Sequence, residues 1–232
     1  MPVFSSAGDC GDVIYSLPAV RALGGGALRL FPAPYTSARM TPATAESLAT
    51  LLRCQPYVTD IAFAESPEGI NLDAWRQCNR SDLNVADLVC LALGVPPQPR
   101  DEPWLTVPRP RKVARVLLHR SARYHNWAFP WHRVYEKYKP EAAVVGTPDE
   151  HRDFCAYLGP LPYVATPTFL DLAEVIAGCE LLVGNQSAPM AVALGLGKPL
   201  VQEVCLSIPN CFFERRNATY GYDAHVELPD LR

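Results

Sequence analysis

The stretch "VGNQSAPMAVALGLGKP", residues 183 to 199, runs from an apolar strand through a polar turn into a helix of small residues and stops at Gly-Lys-Pro. A turn of this kind leaves the carboxyl end of a strand and opens a helix, which is where open α/β sheets bind ligands. Its backbone N–H groups and positive helix end suit an anion such as a phosphate. Gly184 permits close approach, Asn185 and Gln186 supply amides, and Ser187 can cap the helix or donate its hydroxyl. An ordinary N-cap uses the same residue types, so the turn alone leaves both readings open.

Outward from that turn the chain alternates between strand and helix patterns. Toward the N-terminus, "KVARVLLHR", "EAAVVGT" and "ELLVG" read as strands, and "PLVQEVC" follows as another. Between them "PWHRVYEKYK", "PDEHRDFCAYL" and "PTFLDLAEVIAGC" read as helices. The first half repeats the order. "VF", the glycine-containing loop "SSAGDCGD", the helix "VIYSLPAVRAL" and the strand "ALRLF" form a βαβ unit, followed by a Thr-Pro helix start at Thr41, a strand "VTDIAFAE" and a short helix ending at Gly94. Apolar β-branched runs separated by amphipathic helices predict an α/β fold of two Rossmann-like domains with mostly parallel sheets covered on both faces. Six prolines in residues 94 to 112 exclude a continuous helix there. The expected domains are therefore residues 1–108, which is a reduced first domain, and 109–232.

Composition narrows the function classes. A net charge of −3 and pI near 6.0 give no global reason to bind nucleic acid. The eight cysteines are scattered without a C-x-x-C pair, which excludes a zinc ribbon or a disulfide framework and fits buried thiols in a reducing cytoplasm. No apolar run reaches the roughly 20 residues of a membrane span, so a cytoplasmic protein is expected. Residues 109 to 139 nonetheless concentrate Arg109, Arg111, Lys112, Arg115, Arg120, Arg123, Arg133, Lys137 and Lys139, interleaved with Trp127, Phe129, Trp131 and three tyrosines. Such a run can track a nucleic-acid backbone, hold a phosphorylated or acidic glycan, or form a solvated face over core aromatics.

"LLVGNQSAPMAVALGLGKPLV" resembles the donor-site segment of the ADP-heptose:lipopolysaccharide heptosyltransferase family, and "SSAGDCGDVIYSLPAVRAL" is similar to that family's opening motif. "HRSARYHNWAFPWHRVYEKYK" and "VVGTPDEHRDF" resemble its middle segments, so the likeness covers most of residues 4 to 24 and 113 to 204. It implies a GT-B glycosyltransferase: nucleotide-sugar on the second domain, acceptor over the first, no cofactor and no metal. Two positions differ from the family pattern, Gln186 where an acid is usual and Ala191 where a histidine is usual. The family's loop lysine falls near His125, with Arg120 and Arg123 as alternative phosphate partners.

Transfer of a sugar needs a base for the acceptor hydroxyl, and a carboxylate in the cleft serves. Asp12 matches the family's base, Asp9 is its rival, and Gly11 lies between them; a carboxylate at a helix start also simply favours the dipole. The leaving diphosphate needs fixed cations and N–H groups, for which His125, Arg123, Gln186 and Ser187 are the candidates. Glu203, at the end of a strand, is read as a ribose ligand against a plain surface glutamate. The expected activity is an inverting glycosyltransferase using a nucleotide-diphospho-sugar and a glycan, lipid-linked or other hydroxyl acceptor. The alternatives are a non-catalytic nucleotide or nucleotide-sugar binding protein, a glycosyltransferase acting on modified nucleic-acid bases, and a structural α/β protein.

Overall fold

The computed structural model describes residues 1–32, 40–80, 82–208 and 211–231. The first half builds a four-stranded parallel sheet from β1 (Val3–Ser6), β2 (Gly26–Leu30), β3 (Val58–Phe63) and β4 (Ile70–Asn71), in the order β3-β2-β1-β4. Its helices are α1 (Cys10–Ala22), α2 (Pro42–Leu52) and α3 (Val85–Ala92). The second half builds a five-stranded parallel sheet from β5 (Val116–His119), β6 (Ala142–Val144), β7 (Leu181–Asn185), β8 (Leu200–Glu203) and β9 (Ala218–Gly221), in the order β6-β5-β7-β8-β9. Helices α4 (Trp131–Tyr138), α5 (Pro148–Leu158), α6 (Phe169–Gly178) and α7 (Ala188–Gly195) cover it. The two short strands β4 and β9 and the 3-10 turn of residues 72 to 77 are additions to the elements read from sequence.

Strand alternation divides the second sheet into two faces. Val116 and Leu118 point to a core with Trp131, Val134, Tyr138 and Phe154, under α4 and α5. Leu117 and Leu182 point the other way, into an apolar core that also holds Phe4, Ile14, Leu17 and Leu48 of the first half. The two sheets thus share one core through α1, α6 and α7.

The proline-rich segment closes that core by a specific substitution of donors. Pro18 lies inside α1 and has no N–H to give to the Ile14 carbonyl four residues back. Trp104, buried in the segment between the halves, donates its indole N–H to Ile14 O at 3.1 Å. Its backbone N–H and that of Leu105 both bond Gly195 O at 2.9 Å, so one tryptophan joins the middle of α1 to the end of α7. Gly195 is required there, because a Cβ would lie 2.6 Å from Leu105 Cδ1. All eight cysteines are free, and no helix among the described residues is long and apolar enough to cross a membrane.

Trp104→Phe keeps the packing but orphans the Ile14 carbonyl, and is expected to cost about 1–3 kcal/mol in urea unfolding. In a Pro18→Ala background, where the helix supplies its own N–H, that cost should fall; equal costs in both backgrounds would refute the donor exchange.

Candidate functional site

Each sheet reverses its strand order once, the first between β1 and β4 and the second between β5 and β7. Such switch points are where crevices form at the carboxyl ends of the strands. In this chain the two crevices face each other. A Cβ on Gly11, in the first turn of α1, would lie 3.8 Å from Ala188 Cα and 3.9 Å from the Ala191 methyl, in the first turn of α7. Across the same junction Arg123, in the loop after β5, pairs with Asp9, in the loop after β1, at 3.1 Å.

The helix starts at this junction differ from most others. Helices α2, α3, α5 and α6 have their first turns capped by the side chains of Thr41, Asn84, Thr147 and Thr168. Neither α1 nor α7 has a side-chain cap. Ser187, at the N-cap of α7, turns its hydroxyl back to Asn185 O at 3.0 Å. The start of α7 opens on a cleft of about 300 Å3, whose walls include His119, Ser121, Arg123, Thr147, Thr168 and Ser187. A cavity of about 630 Å3 lies at the amino ends of β7, β8 and β9, lined by Glu180, Lys198 and Arg216 among others. It is the roomier of the two, but it sits at the end of the sheet opposite both switch points.

On the first-half side, Asp12 rises from the first turn of α1 with its side chain 22% exposed, and its Oδ2 accepts from Arg76 Nη2 at 2.5 Å. Burial pushes the Asp12 carboxyl above its ordinary value; Arg76 acts against this, while Asp9 and Asp73 add to it. Asp73, buried in the 3-10 turn after β4, accepts from Ala7 N at 2.5 Å and from the Ser6 hydroxyl at 3.2 Å, and so fixes the loop after β1. Gly8 has no room for a side chain: a Cβ would stand 2.7 Å from Asp12 Cβ. Neither Asp73 nor Arg76 was singled out from the sequence. Their signal, a two-residue strand after Gly69, is too short to show a period.

Several residues read from the sequence as ligands make hydrogen bonds to neighbouring loops. Glu203 is fully buried: its two oxygens accept from Arg120 at 3.0 Å each, from Asn126 N at 2.6 Å and from the Trp131 indole at 2.8 Å. Glu203, read from the sequence as a ribose ligand, and Arg120, read as a phosphate partner, thus bond each other in this structure, the Arg120 side chain being 8% exposed and set among the surrounding rings. Asn185 is buried and clamps the loop after β5, accepting from Ser121 N at 2.9 Å and donating to Arg123 O at 2.5 Å. That clamp holds Tyr124 at a left-handed φ of 60°. Gln186, also buried, accepts from Cys205 N at 2.6 Å and donates to Ile208 O at 2.7 Å, fixing the loop after β8. His125 folds back on its own loop, with Nε2 donating to Ser121 O at 2.7 Å and its ring edge-on to Trp127. Among the described residues, Arg123 lines the cleft and His125 does not.

The basic run is also consumed internally. Arg111 pairs with Asp171 and Glu174, Arg115 with Glu141 and Glu180, Lys137 with Asp230, and Lys139 with Glu136. Phe129, Trp131 and Tyr138 are core residues, whereas Trp127 is 80% exposed. Several of the run's cations are therefore held in ion pairs, and three of its rings lie in the core.

His119 was not singled out from the sequence. It ends β5, is buried, and shares an atom pair with Val145 O at 3.0 Å through Nδ1, which must donate; the Nε2 lone pair finds no protein partner. Burial holds its pKa below the ordinary imidazole value. Gly146, at φ 134°, gives the ring its space, because a Cβ would stand 2.9 Å from Nδ1. Among the described residues no group of three His, Cys, Asp or Glu side chains is placed to hold a metal ion.

No protein-family model matches the chain, and no curated protein does. Solved structures do match. The glycosyl transferase family 9 protein from Veillonella parvula is 15% identical with a TM-score of 0.61, over 86% of this chain and 79% of that one. The E. coli heptosyltransferase WaaC, solved with ADP-2-deoxy-2-fluoro heptose, is 12% identical with a TM-score of 0.56, over 86% and 87%. The iron-containing dodecameric glycosyltransferase TibC from enterotoxigenic E. coli is 15% identical with a TM-score of 0.61, over 94% of this chain and 62% of that one. The α/β fold of this chain, two parallel sheets meeting at their switch points, is the GT-B architecture these glycosyltransferases share.

Two outcomes check the reassignments. Glu203→Gln leaves the Arg120 cation buried without its counter-charge and is expected to cost about 3–5 kcal/mol in urea unfolding, with nucleotide affinity of the folded protein unchanged. For His119, the unfolded chain takes up a proton near pH 6.5 that the folded chain refuses, so stability should fall as pH drops through that value. His119→Phe should show a flatter decline of melting temperature between pH 7 and 5; an equally steep one would exclude His119 as the source.

Proposed function

We propose that this chain is an inverting glycosyltransferase, which moves a sugar from a nucleotide-diphospho-sugar to a hydroxyl acceptor. The observation that carries the reading is the meeting of two unlike half-sites: an uncapped helix start beside Arg123 on one side, and the Asp12 carboxylate on the other. The diphosphate lies at the start of α7, where backbone N–H groups and the Arg123 guanidinium offset the charge that grows on the leaving group. The acceptor lies over the loop after β1. Its hydroxyl gives its proton to Asp12 as its oxygen attacks the anomeric carbon; the bond from that carbon to the diphosphate oxygen breaks on the opposite face, and the nucleoside diphosphate leaves. One displacement inverts the anomeric centre. The glycosyltransferase neighbours of the same fold, one of them solved with an ADP-heptose analogue, support this class of donor.

Arg123 leaves Asp9 for the diphosphate in this scheme, so donor binding changes the charge on the acceptor side. Asp9 is the reserve base.

ADP at a hundredfold excess over Kd should stabilise the protein by about 2.7 kcal/mol, with or without magnesium. A melting temperature indifferent to ADP, UDP, GDP and CDP would remove the donor assignment. Asp12→Asn should lower turnover by about two to four orders of magnitude while leaving the ADP-induced shift intact. Near-normal turnover in that variant would transfer the role to Asp9.

A further inference from the structure

The carboxylate assigned to proton transfer stands in an unfavourable place for a base. Asp9 lies one turn before it, and Asp73 converges on it from the end of β4: the point where a Gly8 Cβ would sit is 3.2 Å from Asp12 Oδ2 and 3.3 Å from Asp73 Oδ1. Cys10 and Tyr15 of α1, Cys211 from the segment after β8 and Tyr124 from the loop after β5 also face it, and each is neutral when protonated. Arg123 is turned to Asp9. Like charges and burial both favour the protonated acid, which accepts no proton.

Among the described residues, one cation opposes this directly. Arg76 closes the 3-10 turn after β4, with Nη2 2.5 Å from Asp12 Oδ2 and Nε 3.9 Å from Asp73 Oδ1. Its guanidinium lies over the Trp75 ring at 4.5 Å from the centroid, and Trp75 is itself packed into the core. The ring and the two carboxylates hold the fork in one orientation, which a flexible ammonium would not keep.

We propose that Arg76 is the positioning residue of the acceptor side: it keeps Asp12 ionised and takes up one carboxylate oxygen, so that the other receives the acceptor's proton. It thereby sets the pH below which transfer stops. This rests on Asp12 being the base, and it assigns a role to a residue that need not touch donor or acceptor. Arg76 holds the charge; Asp12 accepts the proton.

The deciding measurement is the titration of the Asp12 carboxyl carbon by NMR in protein labelled at aspartate Cγ, the resonance being assigned by its loss in Asp12→Asn. Arg76→Met should move the Asp12 midpoint upward, and Arg76→Lys, which restores charge without the fork, should bring it part of the way back. An Asp12 midpoint that is the same in wild type, Arg76→Met and Arg76→Lys overturns the proposal. The kinetic arm measures release of ADP from ADP-heptose against pH. The acid limb of kcat should shift to higher pH in Arg76→Met by the amount the NMR midpoint moves, about tenfold in rate per unit at a fixed pH on that limb, with KM for the donor unchanged. A merely structural role would lower kcat at every pH and leave the limb in place. Should Asp12→Asn turn over normally, the choice of base fails, while the NMR titration still decides what Arg76 does to Asp12.

Discussion

The close contact of Gly11 with Ala188 is the constraint on which the rest of the site depends. It brings the first turns of α1 and α7 together at the carboxyl ends of two separate sheets. Two positive helix ends directed at one crevice repel each other unless negative charge lies between or beside them. Asp9 and Asp12 supply that charge from the chain, and neither helix start carries a side-chain cap. Small residues are the geometric half of the same condition. Ala191, one turn into α7 and fully buried, also faces Gly11.

Away from the junction, the buried pair of Arg120 with Glu203 is saturated: the carboxylate takes four donors and the guanidinium lies among Trp127, Trp131 and Tyr157. A buried pair so fully satisfied is costly to break and has no capacity for a ligand. It anchors the loop after β5 to the end of β8, and Asn185 anchors the same loop to the end of β7. Arg123 is thus presented from a loop fixed at two strands. Its own side chain, 46% exposed, reaches across the junction to Asp9 and lies over the Tyr124 ring.

Periodicity made most of the fold legible before any coordinates. Helix α5 begins at Pro148 after a Thr147 cap and ends at Leu158 before Gly159, as the sequence signals require. The switch-point turn at residues 184 to 187 was legible for the same reason. The side chains in that turn were not, because a polar residue at a strand end can face a ligand or tie down the next loop, and only the neighbouring loops decide. Glu203 is the clearest instance: its position at a strand end suggested a ribose ligand, and the donors that bond it in the structure come from residues 120, 126 and 131, far off in sequence. Asp73 and Arg76 were hidden for a different reason. A two-residue strand carries no pattern, and its pairing with β1 is what brings them under the start of α1.

The two departures from the resembled family pattern, at residues 186 and 191, have local physical causes. The position of Gln186 requires one acceptor for Cys205 N and one donor for Ile208 O, which an amide provides and an ionised acid does not. Residue 191 is fully buried against the start of α1, where a methyl group fits and an imidazole would need the space that Gly11 leaves. Both residues therefore have a packing or hydrogen-bonding role in the fold. On the proposed activity, the turn holds its diphosphate through backbone N–H groups and through Arg123 from a neighbouring loop. A site that binds by backbone leaves its own side chains to serve the scaffold, and they can differ between chains of one fold without changing what the turn holds.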